Sequence, residues 1–177
     1  MTTQDIAAAL QRVESVMRRR PDLGLHDDAP ATARWEQGTR VVATHANGTQ
    51  MATDMPGELG GTGDKVTPGW MFRAGLASCA ATSIALSAAA QGIELTTLEV
   101  RASSRSDVRG MLGMVDADGT PVGAGPSDMQ LHVRIAATGI EPARLRALVN
   151  DAYRCSPIPN AVLTALPVDL RIDVAAG

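Results

Sequence analysis

Cysteine is scarce in this chain. There are two, Cys79 and Cys155, in 177 residues. They form no CxxC pair, and no histidine stands beside either one. Two thiols are too few for a disulfide scaffold and too few for a structural zinc site. No metal is expected. Aromatic residues are almost missing, at 2%. The core must therefore be built from Ala, Val, Leu, Ile and Met. Lysine occurs once, as Lys65, while every other basic residue is Arg. Net charge is −3, so there is no basic excess to bind a phosphate backbone, and nucleic acid is not an expected partner. The Gly-rich loop PGELGGTGDKVTP lacks the GKS or GKT ending of a P-loop and the GxGxxG of a dinucleotide site. No cofactor is expected either.

The N-terminus MTTQDIAAALQRVESVMRRRP carries Asp5 and Glu14 early and its arginines last, the wrong order for a secretory signal. The longest uncharged stretch, AGLASCAATSIALSAAAQGI, is dominated by Ala and Ser. Its transfer energy is too small to hold a bilayer span, so a buried helix is expected and no membrane. The expected compartment is the cytosol, where thiols stay reduced. Three uses remain for the cysteines: redox chemistry, nucleophilic chemistry or packing.

What is present is ordinary globular material, 45% apolar and 20% charged, in a chain long enough for one well-filled core. Ile6, Leu10, Val13 and Met17 recur at helical spacing, with arginines at the end and Pro21 as a stop. Residues 21–33 read as a linker. The runs TRVVATHA and TQMATDM flank Asn47-Gly48, a hairpin signal. Thr67 and Pro68 are the N-cap and first position of a long helix that ends at Gln91 with Gly92 as cap. Phe72, Leu76, Cys79, Ser83 and Leu86 share one face of it. TLEVRAS and MQLHVRIAA alternate as strands, with His132 on the polar face. EPARLRALVNDAYRC reads as a helix with Leu145, Leu148, Val149 and Ala152 as its stripe, which Cys155 continues. SPIPN breaks it. PVDLRIDV reads as a last strand. The order has no βαβ alternation and predicts an α+β fold. If the two main helices pack together, the two thiols could meet.

The ordered set RWEQGTR, TDMPGELGGTG, TPGWMFRAGLASCAATS, GIELTTLEVRAS, RCSPIPNAV and VDLRIDV resembles the OsmC/Ohr family of osmotically inducible and organic hydroperoxide resistance proteins, over roughly residues 34–174. With the helical spacing and the linker before it, the resemblance divides the chain into an N-terminal helix and linker over 1–33 and an OsmC-like domain over 34–177. It implies an N-terminal hairpin sheet, a long central helix carrying the first Cys, further strands and a second helix carrying the second Cys. It also implies an intertwined homodimer with active sites at the subunit interface.

The resemblance further implies a thiol-dependent peroxidase for organic hydroperoxides, acting in the oxidative stress response. Cys79 is then the peroxidatic cysteine, Cys155 the resolving one and Arg40 the family arginine, with Arg34 a weaker match. A lipoyl-type external dithiol would be the reductant. The chemistry needs a thiolate, and a free thiol is only a few per cent ionised at pH 7. A guanidinium at the sulfur supplies the bias. The family carries Glu after the helix-opening Pro, where this chain has Gly69. Glu58 and Asp64 are nearby acids that can replace it. Arg73 falls inside the helix where relatives carry a small or apolar residue. The alternative is a non-catalytic OsmC-like protein that binds a small apolar ligand or senses redox state.

Overall fold

The computed structural model describes residues 2–164 and 166–175. Helix α1 (Thr3–Arg19) opens on a capping box. Thr2 Oγ1 accepts the Asp5 amide, and the Asp5 carboxylate accepts the Thr2 amide. This helix packs against the central helix, and none of its residues is fully buried.

Three strands follow as an antiparallel meander: β1 (Thr32–Gln37), β2 (Arg40–Thr44) and β3 (Gln50–Thr53). The β2–β3 connection turns at Asn47-Gly48, where Gly48 takes a φ of 88° that costs a glycine little. Strand β1 begins at Thr32, inside the stretch that composition assigns to the linker. Its residues TARWEQ are all exposed, so no buried face holds it against a core.

The central helix α2 (Pro68–Ala90) starts and ends where the sequence predicts. Thr67 Oγ1 accepts the Trp70 amide. At the other end the amides of Gly92 and Ile93 close onto the carbonyls of Ala89 and Ala88, a Schellman arrangement with Gly92 at φ 65°. By length and composition alone α2 is apolar enough to cross a membrane. Here it is the hub of the fold and packs against α1, β4 and two later helices.

Strands β4 (Leu95–Arg105) and β5 (Ser127–Ala137) form a two-stranded antiparallel ribbon. The short helix α3 (Val108–Met111) lies in the connection between them. The ribbon's inward residues Leu98, Val100, Val133 and Ile135 lie on a core of Ile84, Ala88, Ile93, Leu145, Leu148 and Ala152. His132 stands opposite Arg101 on the solvent face. Helix α4 (Pro142–Arg154) supplies Leu145, Leu148 and Ala152 to the core, as its stripe predicts.

Four expectations need correction. First, the buried face of α2 is Leu76, Ala80, Ile84, Ala88 and Ala89, while Phe72 and Leu86 are exposed. The helix is apolar nearly all round, so periodicity did not orient it. Second, SPIPN does not only end a helix. Pro157 opens another, α5 (Pro157–Thr164). Third, Cys155 does not continue the buried stripe. It is the C-cap residue of α4, where the chain leaves helical geometry, and it is exposed. Fourth, PVDLRIDV forms no strand. It pairs with nothing among the described residues, and Val168, Leu170, Ile172 and Val174 are 89%, 78%, 74% and 88% exposed.

Candidate active site

Cys79 lies near the middle of α2 and is half-buried. Its side chain points at the start of α5. The Ile158 amide donates to the Cys79 sulfur at 3.4 Å, and the Ser156 hydroxyl lies 3.4 Å from the same sulfur. The Ile158 amide is available because it falls in the first turn of a helix, where backbone N–H groups have no intrahelical acceptor. Pro157 before it has none to offer.

Ser156 is held in place from both sides. It is fully buried, its carbonyl accepts the Asn160 amide, and the Asn160 side chain caps the carbonyls of Arg154 and Ser156. The sulfur thus sees a hydroxyl and an N–H at the positive end of α5. Both groups are donors that a charged sulfur can accept from.

The residue opposite Cys79 is therefore Ser156, not Cys155. Cys155 precedes it by one position, and its thiol makes no hydrogen bond to Cys79 among the described residues. The sequence did contain a signal for this. In RCSPIPN it is Ser156, not Cys155, that stands directly before the helix-opening Pro.

Arg40 opens β2, just past the tight β1–β2 turn at Gly38 and Thr39. It belongs to a polar cluster that joins the end of β3 to the loop before α2. One guanidinium nitrogen donates to Asp54 at 3.2 Å, to Thr62 Oγ1 at 3.0 Å, and to Asp64. Asp54 anchors the cluster. It is 2% exposed and accepts the Thr39 and Thr62 hydroxyls and the Met55 and Thr62 amides. These donors, the Thr39 hydroxyl foremost, hold its carboxyl far below the usual carboxylate range.

Asp64, named above as a possible substitute for the missing Glu, does bind Arg40. Glu58 stays exposed in the turn Gly57–Leu59. Asp54 was not anticipated from the sequence, since one acid in TDMPG carries no spacing signal. The Arg40 hydrogen bonds all use Nη2, and none goes to Cys79. Arg34 lies on the exposed β1 and makes no side-chain hydrogen bond among the described residues.

No group of three or more His, Cys, Asp or Glu side chains gathers as a metal site among the described residues. The arrangement offers a soft nucleophile in a donor cradle, an exposed second thiol next door, and an arginine anchored by two carboxylates.

The fold has known counterparts. It matches an OsmC-like protein from Mycoplasma pneumoniae at a TM-score of 0.64 and 18% identity, over 78% of this chain and 89% of that one. An organic hydroperoxide resistance protein from Elizabethkingia anophelis, with thiocyanate bound, matches at 0.58 and 23%, over 78% and 89%. An OsmC-like protein of unknown function from Vibrio cholerae matches at 0.61 and 14%, over 77% and 94%. At these identities the likeness is one of fold. No curated protein matches the chain by sequence. The family model for OsmC-like protein matches residues 61–171, from the loop before α2 to the C-terminal segment. The chain belongs to the OsmC-like protein family.

Proposed function

We propose that the protein is a thiol peroxidase that reduces organic hydroperoxides, with Cys79 as the nucleophile. The observation that carries this is the cradle at its sulfur, the Ile158 N–H and the Ser156 hydroxyl at the start of α5. The family, and a structural counterpart named for organic hydroperoxide resistance, support the same chemistry.

The Cys79 thiolate attacks the peroxide oxygen farther from the organic group. An S–O bond forms and the O–O bond breaks. The alkoxide leaves, takes a proton and becomes the alcohol, while Cys79 becomes a sulfenic acid. Cys155 then resolves it: its thiol attacks the sulfenic sulfur, an S–S bond forms and water leaves. This requires the Cys155-Ser156 turn to bring the thiol to the place the hydroxyl holds. An external dithiol of lipoyl type reduces the disulfide and is itself oxidised. Ser156 opposite Cys79 favours a second route, in which an external thiol meets the sulfenic acid directly.

Arg40 serves the reaction as a fixed cation. Its Nη2 is tied to Asp54, Thr62 and Asp64, while Nε and Nη1 carry no hydrogen bond among the described residues. These free donors suit a thiolate or peroxide oxygen brought to them across a homodimer interface. A homodimer is supported by the unpaired, alternating apolar residues Val168 to Val174 and by the exposed strand β1. A cytosolic setting fits two free thiols.

The test is one equivalent of cumene hydroperoxide on reduced protein, with thiol counting and peptide mapping. Loss of two thiols with a Cys79–Cys155 crosslink supports resolution by Cys155. Loss of one, with Cys79 trapped as a sulfenic acid adduct, supports the external route. Two thiols still free after many minutes would sink the peroxidase. A non-catalytic OsmC-like protein that binds a small apolar ligand or senses redox state would then be the reading.

A further inference from the structure

A second feature of α2 stands apart from the thiol. A cavity of about 550 Å³ opens at the N-terminal end of the helix, in the size range of small-molecule sites. Its walls are mainly apolar and include Met55, Leu59, Phe72, Val108 and Met111. Arg73 also lines it.

The electrostatics of this cavity are one-sided. Arg73 is half-buried, and among the described residues its only side-chain hydrogen bond is to the Ser104 hydroxyl, at 3.4 Å. It forms no ion pair with a carboxylate among the described residues. The acid in the wall, Asp107, is taken up by Arg109, which donates to it through Nε at 3.1 Å and Nη2 at 2.6 Å. The first turn of α2 holds no acidic residue to offset the helix dipole. Gly69, one turn before Arg73, is the place from which an i,i+4 partner would reach it. It has no side chain, and a Cβ there would stand 3.7 Å from Arg73 Nη1. The guanidinium lies over bare backbone at the positive end of a helix, facing apolar walls.

We propose that this cavity binds an apolar molecule carrying one carboxylate, of the medium-chain or aryl acid class, with Arg73 as the partner of the anion. A planar fork of donors matches a carboxylate two bonds at a time. One uncompensated cation matches one charge, whereas a doubly charged phosphate would find only half its complement. The apolar walls take the chain. The site does not depend on peroxide chemistry, and either proposal can fail while the other stands.

The experiment uses the reduced full chain without peroxide, titrated calorimetrically with octanoate and, separately, with 1-octanol. The two probes share a chain and differ in charge. Octanoate should bind saturably and about tenfold more tightly, a ratio worth about 1.4 kcal/mol. The difference should vanish in Arg73→Gln and persist in Arg73→Lys, with thermal unfolding confirming that both variants fold. Equal affinities, no saturation with octanoate, or octanoate binding unchanged in a folded Arg73→Gln would each overturn the proposal. If Arg73→Gln does not fold, amide shift mapping of the wild type decides. Perturbations centred on Phe72, Arg73, Val108 and Met111 support the site, and perturbations elsewhere overturn it.

Discussion

The sulfur of Cys79 and the hydroxyl of Ser156 lie 3.4 Å apart, and Ser156 has no exposed surface. The Cys79 thiol is thus paired with a serine distant in sequence, at the junction of α4 and α5. When the sulfur is charged, the hydroxyl is its donor. Ser156→Ala should therefore slow the peroxide-dependent loss of the Cys79 thiol by roughly 2- to 10-fold, the value of one net hydrogen bond. Stopped-flow thiol consumption reads this. An unchanged rate would mean that the hydroxyl does not serve the charged sulfur.

The same proximity predicts a crosslink. Ser156→Cys should join Cys79 in a disulfide under one equivalent of peroxide, seen as a linked peptide by mass under non-reducing conditions. It should form faster than any Cys79–Cys155 link in the wild type, because no turn has to rotate. A variant whose two thiols stay apart would show that the facing geometry is not kept in solution.

Asp54 makes the Arg40 cluster sensitive to acid. Its donors favour the carboxylate, so its folded pKa lies below the ordinary value of about 3.9. A depressed pKa contributes stability that is fully present above the unfolded value and is lost as pH falls from about 4 toward the folded one. The stability gap between the wild type and Asp54→Asn should be constant from pH 6 to 8 and narrow below about pH 4. Urea denaturation at several pH values checks this. A gap that widened in acid would contradict the assignment.

Gly61 is required by close approach rather than by its φ. A Cβ there would fall 1.7 Å from the Met55 carbonyl oxygen and 2.9 Å from Asp54 Oδ1. Backbone must move to admit it. Gly61→Ala should cost roughly 1–3 kcal/mol by strain and loosen the Asp54–Thr62 contacts that anchor Arg40. Thermal unfolding reads the first effect. Amide exchange at Thr62, which donates to Asp54, reads the second.

The C-terminal segment predicts assembly. Four apolar side chains alternate with Asp169, Arg171 and Asp173 and stand in solvent in one chain. Light scattering behind a sizing column should give a dimer for the full chain. A chain ended after Thr164 should shift toward monomer. A monomeric full chain at micromolar concentration would remove the homodimer and the cross-interface role of Arg40 together.

Some of this was legible in the residues. Both ends of α2 follow from Thr67, Pro68 and Gly92, because caps and glycine geometry act over a few residues. The stripe of α4 and the alternation of β4 and β5 are likewise local. The family was legible from ordered motifs, and so was the place of Cys79. What was not legible depends on partners far away in sequence. The face of α2 that is buried is set by β4, α4 and α5, because a helix apolar on every side gives no preference of its own. Strand β1 is exposed along its whole length, and only its pairing with β2 makes it a strand.

The sequence by itself determined the α+β class, both ends of α2, the family and the place of Cys79 on that helix. Each rests on local spacing or on motif order. Tertiary structure alone decided which residue meets that cysteine, which acids hold Arg40, and that Arg73 lies uncompensated over an apolar cavity. The reason is the length of chain involved. Cys79 and Ser156 are 77 residues apart, and Arg40 and Asp64 are 24 apart. Contacts of that range follow from how the packed elements close on one another, which no local pattern encodes.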